Sequence, residues 1–149
     1  MPTHIHIAAD HAGFELKSLL IGYLKAKGLE VTDHGTDSSE STDYPDYIHP
    51  MATAVQDAGD PAKTLGIAIC GSANGVCMTA NKHADIRAAI AWQPELAQLA
   101  RQHNNANVLC LPSRFISEET AKAIVESYLA AEFEGGRHQR RVSKIAVAK

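Results

Sequence analysis

Short β-branched or apolar runs alternate with stretches of helical periodicity along the whole chain, and this alternation narrows the possible folds more than any other feature. The run His4–Ala9 reads as a strand, and residues 12–27 follow with Phe14, Leu16, Leu19, Leu20, Tyr23 and Leu24 at helical spacing. Gly28 is a good helix stop. Residues 29–32, 64–69, 86–92 and 108–111 read as further strands, the last closed by Pro112. Helices are expected over 47–58, with Pro50 tolerated in the first turn, and over 76–82 and 94–103. Another is expected over 118–132 behind a Ser117 cap, and a last, basic one over 137–147 after Gly135-Gly136. Five strands separated by helices imply an α/β domain whose parallel sheet is built from right-handed crossovers and covered on both faces. With 149 residues and no repeat or linker, the chain reads as one domain.

Composition removes several classes of function. The formal charge is −3, from 14 basic and 17 acidic residues, which argues against nucleic acid or an anionic membrane surface as partner. No apolar run approaches the roughly 20 residues of a membrane helix, and the first residues carry no secretory pattern, so the cytoplasm is the expected compartment. Cys70, Cys77 and Cys110 are odd in number and lack C-x-x-C spacing, which speaks against a disulfide framework or a cysteine-rich zinc site. Alanine-rich, aromatic-poor composition suits close helix-on-sheet packing and leaves a modest core that an oligomer would supplement.

In an open parallel sheet, ligands bind at the carboxyl ends of the strands. Asp10-His11, Asp43-Tyr44, Cys70-Gly71-Ser72, Trp92-Gln93 and Ser113-Arg114 follow the five strands in turn, so a carboxylate, imidazole, thiol, hydroxyl and guanidinium should gather at one edge. The C-G-S-A-N-G stretch ends a strand and opens a helix, leaving backbone N–H groups for a phosphate or a developing enolate oxygen. It lacks both the G-K-[ST] of a P-loop and G-x-G-x-x-G, so ATP and NAD lose their main support. Spacing leaves Cys70 open between a buried end-of-strand residue and a thiolate favoured by the helix start. Arg137 and Arg141 share a helix face and suit either solvent or a phosphate dianion. By position, His103 merely complements a helix dipole. His4 and His6 alternate on a strand without a third ligand, Cys77 and Cys110 read as core, and no metal is expected.

Six ordered motifs, A-A-D-H-A-G-F-E-L-K, S-S-E-S-T-D-Y-P-D-Y, I-C-G-S-A-N-G, A-N-K-H-A-D-I-R-A, R-Q-H-N-N-A-N-V-L and E-G-G-R-H-Q-R-R-V, make the chain resemble the sugar-phosphate isomerases of the ribose/galactose isomerase family from Ile5 to about Ile145. The resemblance implies a Rossmann-like three-layer α/β/α sandwich with a five-stranded parallel sheet. It also implies a homodimer or tetramer whose active sites lie between subunits, the C-terminal segment reaching the partner's phosphate site. The implied substrate is a small sugar phosphate: D-ribose 5-phosphate and D-ribulose 5-phosphate interconvert without a metal or organic cofactor. By the same resemblance Cys70 stands where one branch carries its thiol base, while the other branch's glutamate position is Val76 here. Ser72 matches a hydroxyl that bonds the reacting oxygens, and His103 with Asn104 matches the pair at the opening furanose ring. Asp10 and Tyr44 match residues against the sugar, and Gly71, Asn74 and Gly75 belong to the anion-binding turn. His11, Arg114, Arg137 and Arg141 match phosphate ligands. Ala73 replaces a usual glycine and Arg140 a commoner glutamine; the first matters if its φ is positive.

Rival readings are the same chemistry on allose 6-phosphate or galactose 6-phosphate, a non-catalytic phosphosugar- or nucleotide-binding module, and a thiol hydrolase using Cys70 and His103.

Overall fold

Each strand-like run joins a single sheet. In the computed structural model, which describes residues 1–147, the chain runs β1 (His4–Ala9), α1 (Phe14–Ala26), β2 (Glu30–Asp33), α2 (Pro45–Gln56) and β3 (Thr64–Cys70). It continues through α3 (Asn74–Ala80), β4 (Ala88–Ile90), α4 (Pro94–Asn104), β5 (Val108–Pro112), α5 (Glu118–Ala130) and α6 (Arg137–Val142). The strand order is β2-β1-β3-β5-β4 and all pairings are parallel. Helices cover both faces, so the expected Rossmann-like α/β/α sandwich is what forms.

Strand alternation sorts the side chains by size. Ile5, Ile7, Leu65, Ile67, Ile69, Leu109 and Leu111 pack with Leu16, Leu20 and Leu24 of α1 and Ile124, Val125 and Tyr128 of α5. The other face carries Ala8, Ala68, Cys70 and Cys110 beneath Ile48, Met51 and Val55 of α2 and Val76 of α3. Smallness there is needed: a methyl group on Gly66 would lie 2.8 Å from Met51 Sδ. One charge enters the layers. Lys17 of α1 is 1% exposed, and its Nζ meets Asp33 Oδ1 at 2.7 Å at the end of β2.

Most boundaries shift by a residue or two, α3 among them at Asn74–Ala80 rather than 76–82, and four of the shifts have a local reason. Residues 11–13 form a 3-10 turn capped by Asp10, so α1 starts at Phe14 rather than residue 12. Helix α2 starts at Pro45, which puts Pro50 in its second turn rather than its first. Strand β4 shrinks to three residues, and at its amino end the Arg87 N–H goes to the Asn107 side chain at 2.7 Å instead of to the ladder. Helix α6 stops at Val142, where the Lys144 and Ile145 N–H groups bond three residues back and tighten the turn, so the helix expected to 147 ends early. Ser117 caps α5 as expected, accepting from the Thr120 N–H at 3.1 Å.

Candidate active site

The carboxyl ends of β1, β3 and β5 converge on Cys70. This thiol is buried at 6% exposure, and its residue pairs with Pro112 in the ladder. Asp10 follows β1, with its N–H on the Ile69 carbonyl and its carboxylate accepting from the N–H groups of Ala12 and Gly13 at 2.9 and 3.2 Å. Those two bonds fix an acceptor-only group at the rim. His11 Nδ1 accepts from the Thr42 N–H at 3.1 Å, which holds the ring against the loop 34–44 between β2 and α2 and assigns the proton to Nε2. Ser113 lies 2.9 Å from the Ala12 carbonyl and 3.3 Å from that of Cys70 through its hydroxyl, joining all three strand ends.

The turn after Cys70 is the strained part of this edge. Ala73 adopts φ 68°, ψ −6°, a left-handed conformation that costs an L residue roughly 1–2 kcal/mol. The position that usually carries glycine in the resembling family therefore has positive φ here, and the turn survives with alanine fully buried. Two neighbours explain the flanking glycines. A methyl group on Gly71 would sit 3.2 Å from Arg114 Cδ, and one on Gly75 would sit 2.8 Å from Tyr44 Oη. Arg114 and Tyr44 thus lie directly on the turn. Ser72 Oγ is 3.3 Å from the Asn74 N–H and 3.2 Å from its side-chain amide, both of which donate to it. A shallow cleft beside the turn is lined by Ser72, Asn74, Ile90, Trp92, Pro112 and Phe115, with Trp92 and Phe115 largely exposed.

His103 and Asn104 are elsewhere. They end α4, whose course from the carboxyl end of β4 returns them to the amino edge of the sheet. There the Asn107 N–H bonds the Arg87 carbonyl and the Gly66 N–H bonds the Asn107 carbonyl. Beyond them β5 runs five residues, about 13 Å from end to end, before Cys70's level is reached. Helix α6, with Arg137 and Arg141, packs against α4 on this same side. One chain therefore divides the expected residues in two. Asp10, His11, Tyr44, Cys70, Gly71, Ser72, Asn74, Gly75 and Arg114 form a carboxyl-edge group. His103, Asn104, Arg137 and Arg141 form an amino-edge group.

Two residues absent from the expected set complete the second group. The His138 ring stacks on His103 with centroids 4.2 Å apart, and Glu134 lies within ion-pair distance of both. Their signal was the i, i+4 spacing of Glu134 and His138 around the glycine pair. Burial, then His103 and Arg137, push the His138 imidazole below its ordinary range.

The remaining thiols and histidines behave as core and surface groups. Cys110 is fully buried; its contact with Cys77 and its burial raise its pKa, while the same contact lowers that of Cys77. Cys77 lies 3.4 Å from the Ala88 carbonyl. His4 and His6 do have a third imidazole beside them, since His6 Nδ1 is 2.9 Å from His34 Nε2. Among the described residues no helix is long and apolar enough to cross a membrane.

The ribose/galactose isomerase family model matches residues 5–145. The chain is similar to ribose-5-phosphate isomerase B of Escherichia coli, 49% identical over 141 residues that cover 95% of this chain and 93% of the relative. It is also similar to D-erythrulose-4-phosphate isomerase of Pectobacterium atrosepticum, 43% identical over 95% of this chain and 91% of the relative. Among solved structures, ribose-5-phosphate isomerase B of Mycoplasma genitalium with bound ribulose-5-phosphate superposes with a TM-score of 0.91. That match is 46% identical and covers 97% of this chain and 95% of the other.

Proposed function

The chain belongs to the ribose/galactose isomerase family, and from that premise we propose that it interconverts D-ribose 5-phosphate and D-ribulose 5-phosphate at a site completed by a second copy, in the cytoplasm. The observation that carries this reading is the carboxyl-edge constellation: a buried thiol opening a turn of backbone amides, with Tyr44 and Arg114 laid on that turn.

The cyclic sugar must first open. His103 takes the anomeric proton and returns one to the ring oxygen, a task suited to an imidazole near neutral pH. Cys70, as thiolate, then removes the C2 proton beside the new carbonyl. Charge develops on oxygen, where the amides of residues 71–75 and the Ser72 hydroxyl stabilise the enediolate. Asp10 and Tyr44 hold the sugar hydroxyls, Asn74 fixes Ser72, Cys70 delivers its proton to C1, and the O2 hydroxyl proton passes to O1 so that the carbonyl ends at C2. The phosphate changes no bonds; His11, Arg114, Arg137 and Arg141 bind it and orient the substrate. These steps are proton transfers and call on neither metal nor organic cofactor.

Because His103 and Cys70 lie at opposite edges of one sheet, the reading requires the amino-edge group of one subunit to meet the carboxyl-edge group of another. A two-fold dimer does this twice, with both sites alike. A second reading, the same proton transfer on a sugar phosphate of another length, draws on the relative named for erythrulose 4-phosphate for four carbons and on the galactose of the family's name for six.

The test is turnover by purified protein of ribose 5-phosphate, erythrulose 4-phosphate, allose 6-phosphate and galactose 6-phosphate, alongside Cys70→Ala. We expect ribose 5-phosphate to have the highest kcat/KM. Cys70→Ala should abolish both turnover and solvent hydrogen exchange at the transferred position, with the circular dichroism spectrum unchanged. Substantial exchange in that variant would end the assignment of Cys70 as base.

A further inference from the structure

A local device brings Glu134 and His138 to His103, and the proposed proton transfers use neither of them. Gly135 and Gly136 adopt φ 67° and 55°, and the His138 N–H then donates to the Gly135 carbonyl at 3.0 Å, folding the chain back on itself. The Glu134 N–H donates to the Gln102 carbonyl at 3.0 Å, which ties this loop to the last turn of α4 beside His103. As a result Glu134 Oε1 lies 3.5 Å from His138 Nε2 and 3.7 Å from His103 Nε2. All three donor atoms fall within 4.8 Å of one another. His138 is buried, whereas His103 and Glu134 are partly exposed, so the cluster has one fixed wall and an open mouth.

We propose that His103, Glu134 and His138 bind a divalent cation of the zinc class, and that its occupancy inhibits the enzyme by taking the Nε2 lone pair of His103. The inhibitory half rests on the ring-opening role given to His103 above; the site itself does not. Two imidazoles and a carboxylate are a donor set for zinc or its near neighbours rather than for magnesium or calcium, which prefer oxygen. With bonds of about 2.0–2.2 Å, a tetrahedral ion holds its donors roughly 3.3–3.5 Å apart. The two nitrogen–oxygen separations are already close to that. The two rings are stacked within 9° of parallel, so the exposed His103 ring must tilt out of the stack to aim at the shared ion. Three protein ligands leave a fourth position for water.

The experiment uses full-length protein stripped with EDTA and titrated with cobalt(II), read by its visible absorption, and with zinc, read by calorimetry. We expect a tetrahedral cobalt spectrum without a thiolate charge-transfer band. Zinc affinity should fall at least tenfold in Glu134→Gln and in His138→Gln. Ribose 5-phosphate turnover should fall along the same zinc binding curve, recover with EDTA, and be less zinc-sensitive in both variants. Glu134 is half exposed, so its variant tests the site even if His138→Gln fails to fold. A thiolate band, or zinc affinity unchanged in Glu134→Gln, would overturn the site and leave Glu134 as an ion-pair partner only. Site-specific binding with zinc-indifferent turnover would overturn the inhibition. Metal-free His103→Ala, assayed on ribose 5-phosphate, separates that result from failure of the ring-opening role itself.

Discussion

Mixing two inactive variants should restore activity. One subunit carries Cys70→Ala and the other His103→Ala. In a single chain the two residues stand at opposite edges of the sheet, separated by the roughly 13 Å length of β5. Each site of a two-fold dimer then takes its thiol from one subunit and its imidazole from the other. In a mixed dimer one site collects both defects and the second is intact. Random one-to-one exchange makes about half the dimers mixed, so about a quarter of all sites, and about a quarter of wild-type turnover, should return. A purified mixed dimer should reach about half. The assay is ribose 5-phosphate turnover after subunit exchange in mild denaturant. As a control, Cys70→Ala is mixed with a chain carrying both substitutions, which leaves no intact site. Recovery no greater than the sum of the two parents would refute the shared-site argument.

Three further outcomes follow from individual contacts. His6 is held neutral by burial and by His4 and His34, its pKa lowered to about 4 from an unfolded value near 6.5, and His34 is lowered as well. The unfolded chain therefore binds more protons between those values, so His6 contributes full stability above about pH 6.5 and loses it as pH falls toward 4. Allowing for solvent near the ring, roughly 1–2 kcal/mol should vanish between pH 7.5 and 5, and His6→Gln should flatten that slope in urea unfolding. Asp33→Ala leaves the buried Lys17 ammonium unpaired and should cost about 3 kcal/mol, or roughly 6–12 °C in Tm; a loss under about 1 kcal/mol would mean the pair is not what holds Lys17. Gly75→Ala must displace the Tyr44 ring and should lower kcat/KM by about 10–100-fold, whereas Gly71→Ala meets only the flexible Arg114 side chain and should be milder; equal losses would count against a positioning role for Tyr44.

Much of this protein is legible in one dimension because the signals are local. Short β-branched or apolar runs find each strand and period-3.6 patterns each α-helix, and His4–Ala9 is read to the residue. Ser117 and the residues that follow β1, β3 and β5 are equally readable, since a parallel sheet sends all its carboxyl ends to one edge. Element ends are less so: the Asn107 side chain that takes the Arg87 N–H at the amino end of β4 comes from twenty residues away. Partners distant in sequence are also hidden, as Lys17 with Asp33 and His6 with His34 illustrate.

The sequence by itself determined the α/β class, the strand-end chemistry and, through its ordered motifs, the family resemblance. Only the tertiary structure decided that Ala73 occupies a left-handed position, and that His103 stands with Glu134 and His138 rather than beside Cys70. The reason is geometric. A helix joining parallel strands must run back along the sheet, so a residue at its last turn is carried to the edge opposite the thiol. Periodicity along the chain records that a helix is there, but the direction in which it carries its ends is fixed only when the strands have taken their order.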